Sequence, residues 1–189
     1  MAARIIRHAD CRPMPWKNGG GVTTEILAWP PAAGLDAFDW RISMAQVAGG
    51  GPFSVFAGID RTLTVLSGTM QLAAGDAAPV ALSPQSQPYA FPGDVGTEAV
   101  LIDGPVLDFN VMTRRDRVSH AVERLEFSDP GEIALGQGIS LVFVASGAAR
   151  IGSEAVAAFD TLYSDDGPAS LTVAPNGPVS LLKVSIRLI

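Results

Sequence analysis

An all-β double-sheet barrel or sandwich is the fold class that this sequence predicts. Short runs with period-2 alternation recur along its 189 residues, turns containing Gly and Pro punctuate them at regular spacing, and helical periodicity is almost absent. A pair of strand and turn signatures also occurs twice in the same order.

Each element follows from local pattern. Ile5-Ile6, flanked by Arg4, Arg7 and His8, reads as a leading edge strand before a Pro13/Pro15 turn. From Val22 the alternation sharpens: Val22, Thr24, Ile26 and Ala28 share one face, and Thr23, Glu25 and Leu27 share the other. Pro30-Pro31-Ala32-Ala33-Gly34 breaks the run, and alternation resumes over Phe38–Val47. A hairpin register that pairs Glu25 with Arg41 also pairs Thr23 with Ser43, and it matches Val22 with Met44, Thr24 with Ile42 and Ala28 with Phe38.

Further strands are expected at Phe53–Phe56, Thr62–Leu66, Thr69–Leu72, Ala99–Ile102 and Val106–Met112. In the last of these, Asp108 and Asn110 share a polar face opposite Leu107, Phe109 and Val111. Only Ser119–Leu125 suggests a helical turn. Leu63–Gly68 recurs as Leu141–Gly147, and Asp103–Arg114 recurs as Asn176–Arg187, so an internal duplication is expected, with domains at 1–117 and 118–189. In the second copy Leu181, Lys183 and Ser185 replace Asp108, Asn110 and Met112, which directs the search for function to the first.

Composition narrows the function classes. With 48% hydrophobic residues the chain has ample material for a core, as one sizeable domain or two small ones. A net charge of -6 argues against sequence-independent nucleic-acid binding, which needs clustered Lys and Arg against phosphates. Cys11 is the only cysteine, so no intrachain disulfide forms, which suits a reducing compartment. Neither a signal-peptide apolar run nor an uncharged apolar stretch of about 18 residues occurs, and the expectation is a cytoplasmic protein without a membrane partner.

Chemically useful side chains crowd into Pro15-Trp16-Lys17-Asn18-Gly19-Gly20-Gly21-Val22-Thr23-Thr24-Glu25-Ile26. A phosphate loop is a poor match, because Lys17 precedes the glycines and a strand follows them. Alternation alone leaves the quartet Thr23, Glu25, Arg41 and Ser43 open to two readings, a solvated sheet face or a pocket wall.

Pro15–Gly21 with Thr24-Glu25, then Trp40-Arg41-Ile42-Ser43, Gly51-Pro52-Phe53-Ser54, Arg61, Leu66-Ser67-Gly68, Asp108–Met112 and Arg114-Arg115 together resemble the HutD/Ves family, in the expected order over nearly the whole chain. The resemblance implies two cupin modules, that is, double-stranded β-helix barrels, in one chain. It also implies an association with histidine utilisation, through binding of a small acid such as N-formylglutamate that limits pathway activity. Cupin ligands bind inside the barrel, so the resemblance turns Lys17, Asn18, Thr24, Glu25, Arg41, Ser43, Arg61 and Asn110 into pocket candidates. Thr23 is the alternative to Thr24, since it shares the face of Glu25.

Metal-dependent cupins need converging histidines, and His8 and His120 stand far apart in sequence, so neither a metal nor another cofactor is expected. No Gly-x-Ser-x-Gly elbow accompanies a histidine partner. The leading expectation is a metal-free binder of a small acidic metabolite. A metal-independent enzyme using Glu25 as acid or base, and a protein-interaction module, are the alternatives. Exposed edge strands are compatible with a homodimer.

Overall fold

The computed structural model describes residues 3–16 and 19–189. Two compact units divide the chain. One comprises Arg12–Ser119 with Ile189, and the other joins the residues up to Cys11 to His120–Leu188. The first strand, β1 (Arg4–Ile6), belongs to the latter.

The Arg12–Ser119 unit continues with β2 (Pro13–Pro15), β3 (Gly21–Trp29), β4 (Trp40–Val47), β5 (Gly51–Pro52) and β6 (Ile59–Ser67). After these come β7 (Met70–Ala74), β8 (Val80–Leu82), β9 (Tyr89–Pro92), β10 (Thr97–Leu101) and β11 (Val106–Arg114). A six-stranded sheet has the order β2-β3-β4-β11-β6-β9, and a four-stranded sheet the order β5-β10-β7-β8. Leu63 and Val65 of β6 cluster with Met70, Leu72 and Ala74 of β7 and Ala99 of β10, so the apolar core lies between the two sheets. Burying each large aliphatic there contributes about 1.5–3 kcal/mol.

Cross-strand register carries that inward face over the larger sheet. Leu63 stands opposite Asn110, Asn110 opposite Ser43, and Ser43 opposite Glu25. The inward face is therefore apolar on part of β6 and polar towards β3.

The second unit contains β1, β12 (Val118–Phe127), β13 (Gly131–Ala134), β14 (Ile139–Ser146) and β15 (Ala148–Ile151). It continues through β16 (Glu154–Ala157), β17 (Thr161–Asp165), β18 (Ser170–Pro175) and β19 (Val179–Leu188). Its sheets run β1-β17-β14-β19-β12 and β13-β18-β15-β16 around a core that includes Val142, Val144, Ile151, Leu162, Val173 and Leu181. Leu181 replaces the polar inward Asp108 of the first copy and is fully buried in this core.

The duplicated sequence signatures fold alike. β6 lies beside β11 in one unit, and β14 lies beside β19 in the other. Each first strand ends in a Ser-Gly turn, with Gly68 at φ 80° and Gly147 at φ 82°. A Cβ would lie 2.6 Å from the Pro105 carbonyl oxygen at Gly68 and 2.5 Å from that of Pro178 at Gly147, so both positive φ and close backbone approach require glycine.

Three local expectations need correction. Glu25 pairs with Ser43 and not with Arg41; the register differs by two residues, and a bulge between Glu25 and Leu27 shifts it once more. The cause is Phe38, which leaves the ladder to be fully buried against Ile59 and Met112, so that Trp29 pairs with Trp40 and residues 30–39 form the loop. The expected helical turn at Ser119–Leu125 is instead part of β12, whose alternating accessibility is that of a strand. Phe53–Phe56 is not a strand but the loop after β5. Among the described residues no helix is long and apolar enough to cross a membrane.

Candidate functional site

Polar side chains from four adjacent strands meet on the inward face of the six-stranded sheet. β3 supplies Glu25, β4 supplies Arg41 and Ser43, β11 supplies Asp108 and Asn110, and β6 supplies Arg61. A two-residue repeat brings Arg41 with Ser43, and Asp108 with Asn110, onto one face. These groups are shielded from water: Arg41, Ser43, Arg61, Asp108 and Asn110 are all buried.

Two connected sets share this face. In the first, Arg41 Nε donates to Glu25 Oε2 at 2.7 Å and Nη1 reaches Ser43 Oγ at 3.4 Å. The Glu25 side chain retains 33% exposure, so this pair sits where the interior meets solvent. In the second, Arg61 Nη2 donates to Asn110 Oδ1 at 3.0 Å, and Asn110 Nδ2 donates to Asp108 Oδ1 at 2.7 Å. One amide thus links a buried cation to a buried carboxyl.

Arg61 also sits in an aromatic cage. Its Cζ lies 5.1 Å from the ring centroids of Phe53 and Phe91 and 5.8 Å from that of Phe56. Such faces favour a cation while excluding water. The Nε of Arg61 is buried without a hydrogen-bond partner, and among the described residues no carboxylate lies within ion-pairing distance of it. Burial lowers its pKa to about 10, with the charge of Asp108 opposing the shift and that of Arg41 adding to it. Asp108 is pushed up to about 7 by burial, against the Asn110 hydrogen bond and the Arg61 charge. A buried guanidinium with a free Nε–H and a carboxyl pushed up to about 7 therefore lie one side chain apart.

The structure brings together Glu25, Arg41, Ser43, Arg61 and Asn110 from the sequence-based set. Thr24 stands opposite Met44 and Pro13, on the face away from Glu25. Its neighbour Thr23 shares the face of Glu25 and accepts a hydrogen bond from Trp16 Nε1 at 2.7 Å. Lys17 and Asn18 lie outside the described residues. Arg115 points elsewhere, pairing with Asp60 and Asp94, and Arg114 donates to the Phe38 and Asp36 carbonyls.

Four further site residues escaped the sequence-based set: Asp108, Phe53, Phe56 and Phe91. Asp108 carried a usable signal, its two-residue spacing from Asn110. The phenylalanines carried none, because a loop and β9 bring them to Arg61 from separate parts of the chain. An open surface cleft of about 410 Å³, lined by Ala48–Gly51, Glu98–Leu101 and Gly104, includes none of the polar cluster. Among the described residues no group of three or more His, Cys, Asp or Glu side chains converges as a metal site.

Fold and site define an all-β, cupin-like protein with a polar interior in its first unit. The fold alone is shared with a mutant of Bacillus subtilis oxalate decarboxylase OxdC, at TM-score 0.67 and 8% identity over all of this chain and 80% of that one. Closer comparisons give the family. The HutD family model matches residues 8–181, and the chain belongs to the HutD family. It is 34% identical to Protein Ves of Citrobacter koseri, over 95% of this chain and 94% of the relative. It is 38% identical over 109 residues, covering 58% of this chain and 57% of the relative, to an uncharacterised 21.2 kDa protein in the hutC 3' region of Pseudomonas putida. The structure of HutD from Pseudomonas fluorescens SBW25 (formate condition) superposes with TM-score 0.83 at 32% identity, covering 98% of this chain and 100% of that one.

Proposed function

We propose that this chain binds a small acidic metabolite, such as N-formylglutamate, inside the Arg12–Ser119 unit and thereby restrains histidine utilisation. Arg61 carries the reading: a caged guanidinium with a buried, unpartnered Nε and no ion-paired carboxylate among the described residues is suited to receive an oxyanion. In this reading Asn110 fixes the Arg61 fork, and Arg41, Ser43 and Glu25 line the approach. Lys17 and Asn18 complete the set on the strength of the sequence, with Thr23 in the place of Thr24, which stands on the opposite face.

The same reading makes the chain a pair of cupin modules, the first binding and the second structural. The repeated Ser-Gly turns and the apolar Leu181 support that division of roles. In this reading the protein acts in the cytoplasm, which suits its single cysteine, Cys11.

Calorimetric titration of N-formylglutamate and of formate into the wild type and Arg61→Lys tests the proposal. Formate is the smallest carboxylate probe. Affinity should fall more than about tenfold in Arg61→Lys, because an ammonium cannot reproduce the planar fork. Equal affinity in the two proteins, or no binding of either acid to the wild type, overturns the reading. Consumption of N-formylglutamate during the titration would assign the site to an enzyme instead.

A further inference from the structure

Two anions have a claim on Arg61. Glu25 is engaged with Arg41 at 2.7 Å, so it is not the counter-charge. The remaining protein group within reach is Asp108, coupled to Arg61 through the Asn110 amide. As a carboxylate, Asp108 would neutralise Arg61 from inside the protein; as an acid, it leaves the guanidinium to an anion from outside.

The surroundings sharpen this choice. Among the described residues, the charged groups beside Asp108 on this face are Glu25 of β3, Arg41 of β4 and Arg61 of β6, while Arg114, at the far end of β11, is held by the Phe38 and Asp36 carbonyls. The opposing sheet contributes Met70, Leu72 and Ala99 to the shared core, none of which titrates, and β9 contributes Phe91 together with Tyr89, a phenol that stands opposite Leu63. Asp108 itself is 1% exposed, and its side chain is held by the Asn110 amide. An ionised Asp108 therefore depends heavily on the field of Arg61, and losing that field to a ligand returns the carboxyl to its acid form.

We infer that Asp108 and the bound carboxylate compete for Arg61, so that the site takes up its acidic ligand together with one proton, which is held on Asp108. This inference rests on the proposed binding of a small acid. Its balance is simple: a ligand carboxylate enters, a proton from solvent joins Asp108, and no other bond changes. Because the free Asp108 titrates at about 7, the proton is already in place below neutrality and must be acquired above it. Affinity is then level on the acid side and declines by up to about tenfold per pH unit on the alkaline side.

The test is titration calorimetry of N-formylglutamate into the full chain from about pH 6 to about pH 9, in pairs of buffers with different ionisation enthalpies. For the wild type we expect proton uptake approaching one per ligand at the alkaline end, with Kd rising in step. Asp108→Asn keeps an acceptor for the Asn110 amide and removes the titration, so its Kd should lose the alkaline slope and its binding should take up no proton. A flat wild-type Kd without uptake overturns the inference, and so does a slope that survives in Asp108→Asn. Absence of binding at every pH would instead remove the binding reading on which the inference stands.

Should Asp108→Asn fail to fold, carbon-13 NMR of the wild-type Asp108 carboxyl supplies the answer. Saturating N-formylglutamate should move its titration midpoint upward, and an unmoved midpoint overturns the proposal.

Discussion

Arg41 and Glu25 are ion-paired at 2.7 Å although they are not cross-strand partners; Glu25 faces Ser43 in the ladder, two residues along β4 from Arg41, and a bulge follows at the next residue. The guanidinium is almost completely buried, while the carboxylate is one-third exposed. The two ends of this pair therefore have unequal dependence on it.

Glu25→Ala strands a buried cation, and we expect a loss of about 1–3 kcal/mol in urea unfolding, at the lower end where water reaches Arg41. Arg41→Met in the same background should recover part of that loss, since the orphaned charge is gone. A double variant no more stable than Glu25→Ala would show that Arg41 is solvated in the single variant.

For Asp108 the sign of the pH effect follows from a raised folded-state pKa. Between the ordinary value of 3.8 and about 7, the unfolded chain releases this proton while the folded chain keeps it, so rising pH favours unfolding. Asp108→Asn escapes that penalty. Its Tm advantage over the wild type should be small near pH 4, widen towards pH 7 and then level off; a constant gap would contradict the burial argument.

Replacing Arg61 by Met removes a buried cation that lacks an ion pair among the described residues and leaves an apolar side chain against Phe53, Phe56 and Phe91. Thermal unfolding should shift little or upward, whereas binding of N-formylglutamate should drop more than about tenfold. A protein that is clearly destabilised would mean that the aromatic cage serves the fold more than the ligand.

Gly68→Ala and Gly147→Ala test the duplicated turn. Each places a Cβ within 2.6 Å of a carbonyl oxygen at positive φ, so each should cost about 1–3 kcal/mol in chemical denaturation. Neutral behaviour at either position would mean that the turn relaxes freely.

Side-chain parity was the most legible quantity in the sequence. It placed Arg41 with Ser43, and Asp108 with Asn110, on one face of their own strands without needing the register, whereas Glu25 joined Arg41 and Ser43 through a register of the right parity that is two residues out of place. Register was not legible, because burial of Phe38 and the bulge beside Ile26 depend on groups far along the chain. Parity favoured Thr23, and Thr24 entered the set through the family resemblance; parity also says nothing of which face is shielded, so Asp108 stayed outside it. β12 was misread for a related reason: its alternation is one of half-exposed residues such as Leu125 and Phe127, a weak pattern until the neighbouring strand is known.

Strand β1 hydrogen-bonds along β17, pairing Arg4 with Tyr163 and Ile6 with Thr161. A segment translated ahead of residues 12–119 therefore acquires its partner only after all of them have been synthesised. Those residues can meanwhile collapse on their own contacts. Order of birth and order of assembly are thus uncoupled for this strand, which must wait unpaired while residues 12–119 take shape.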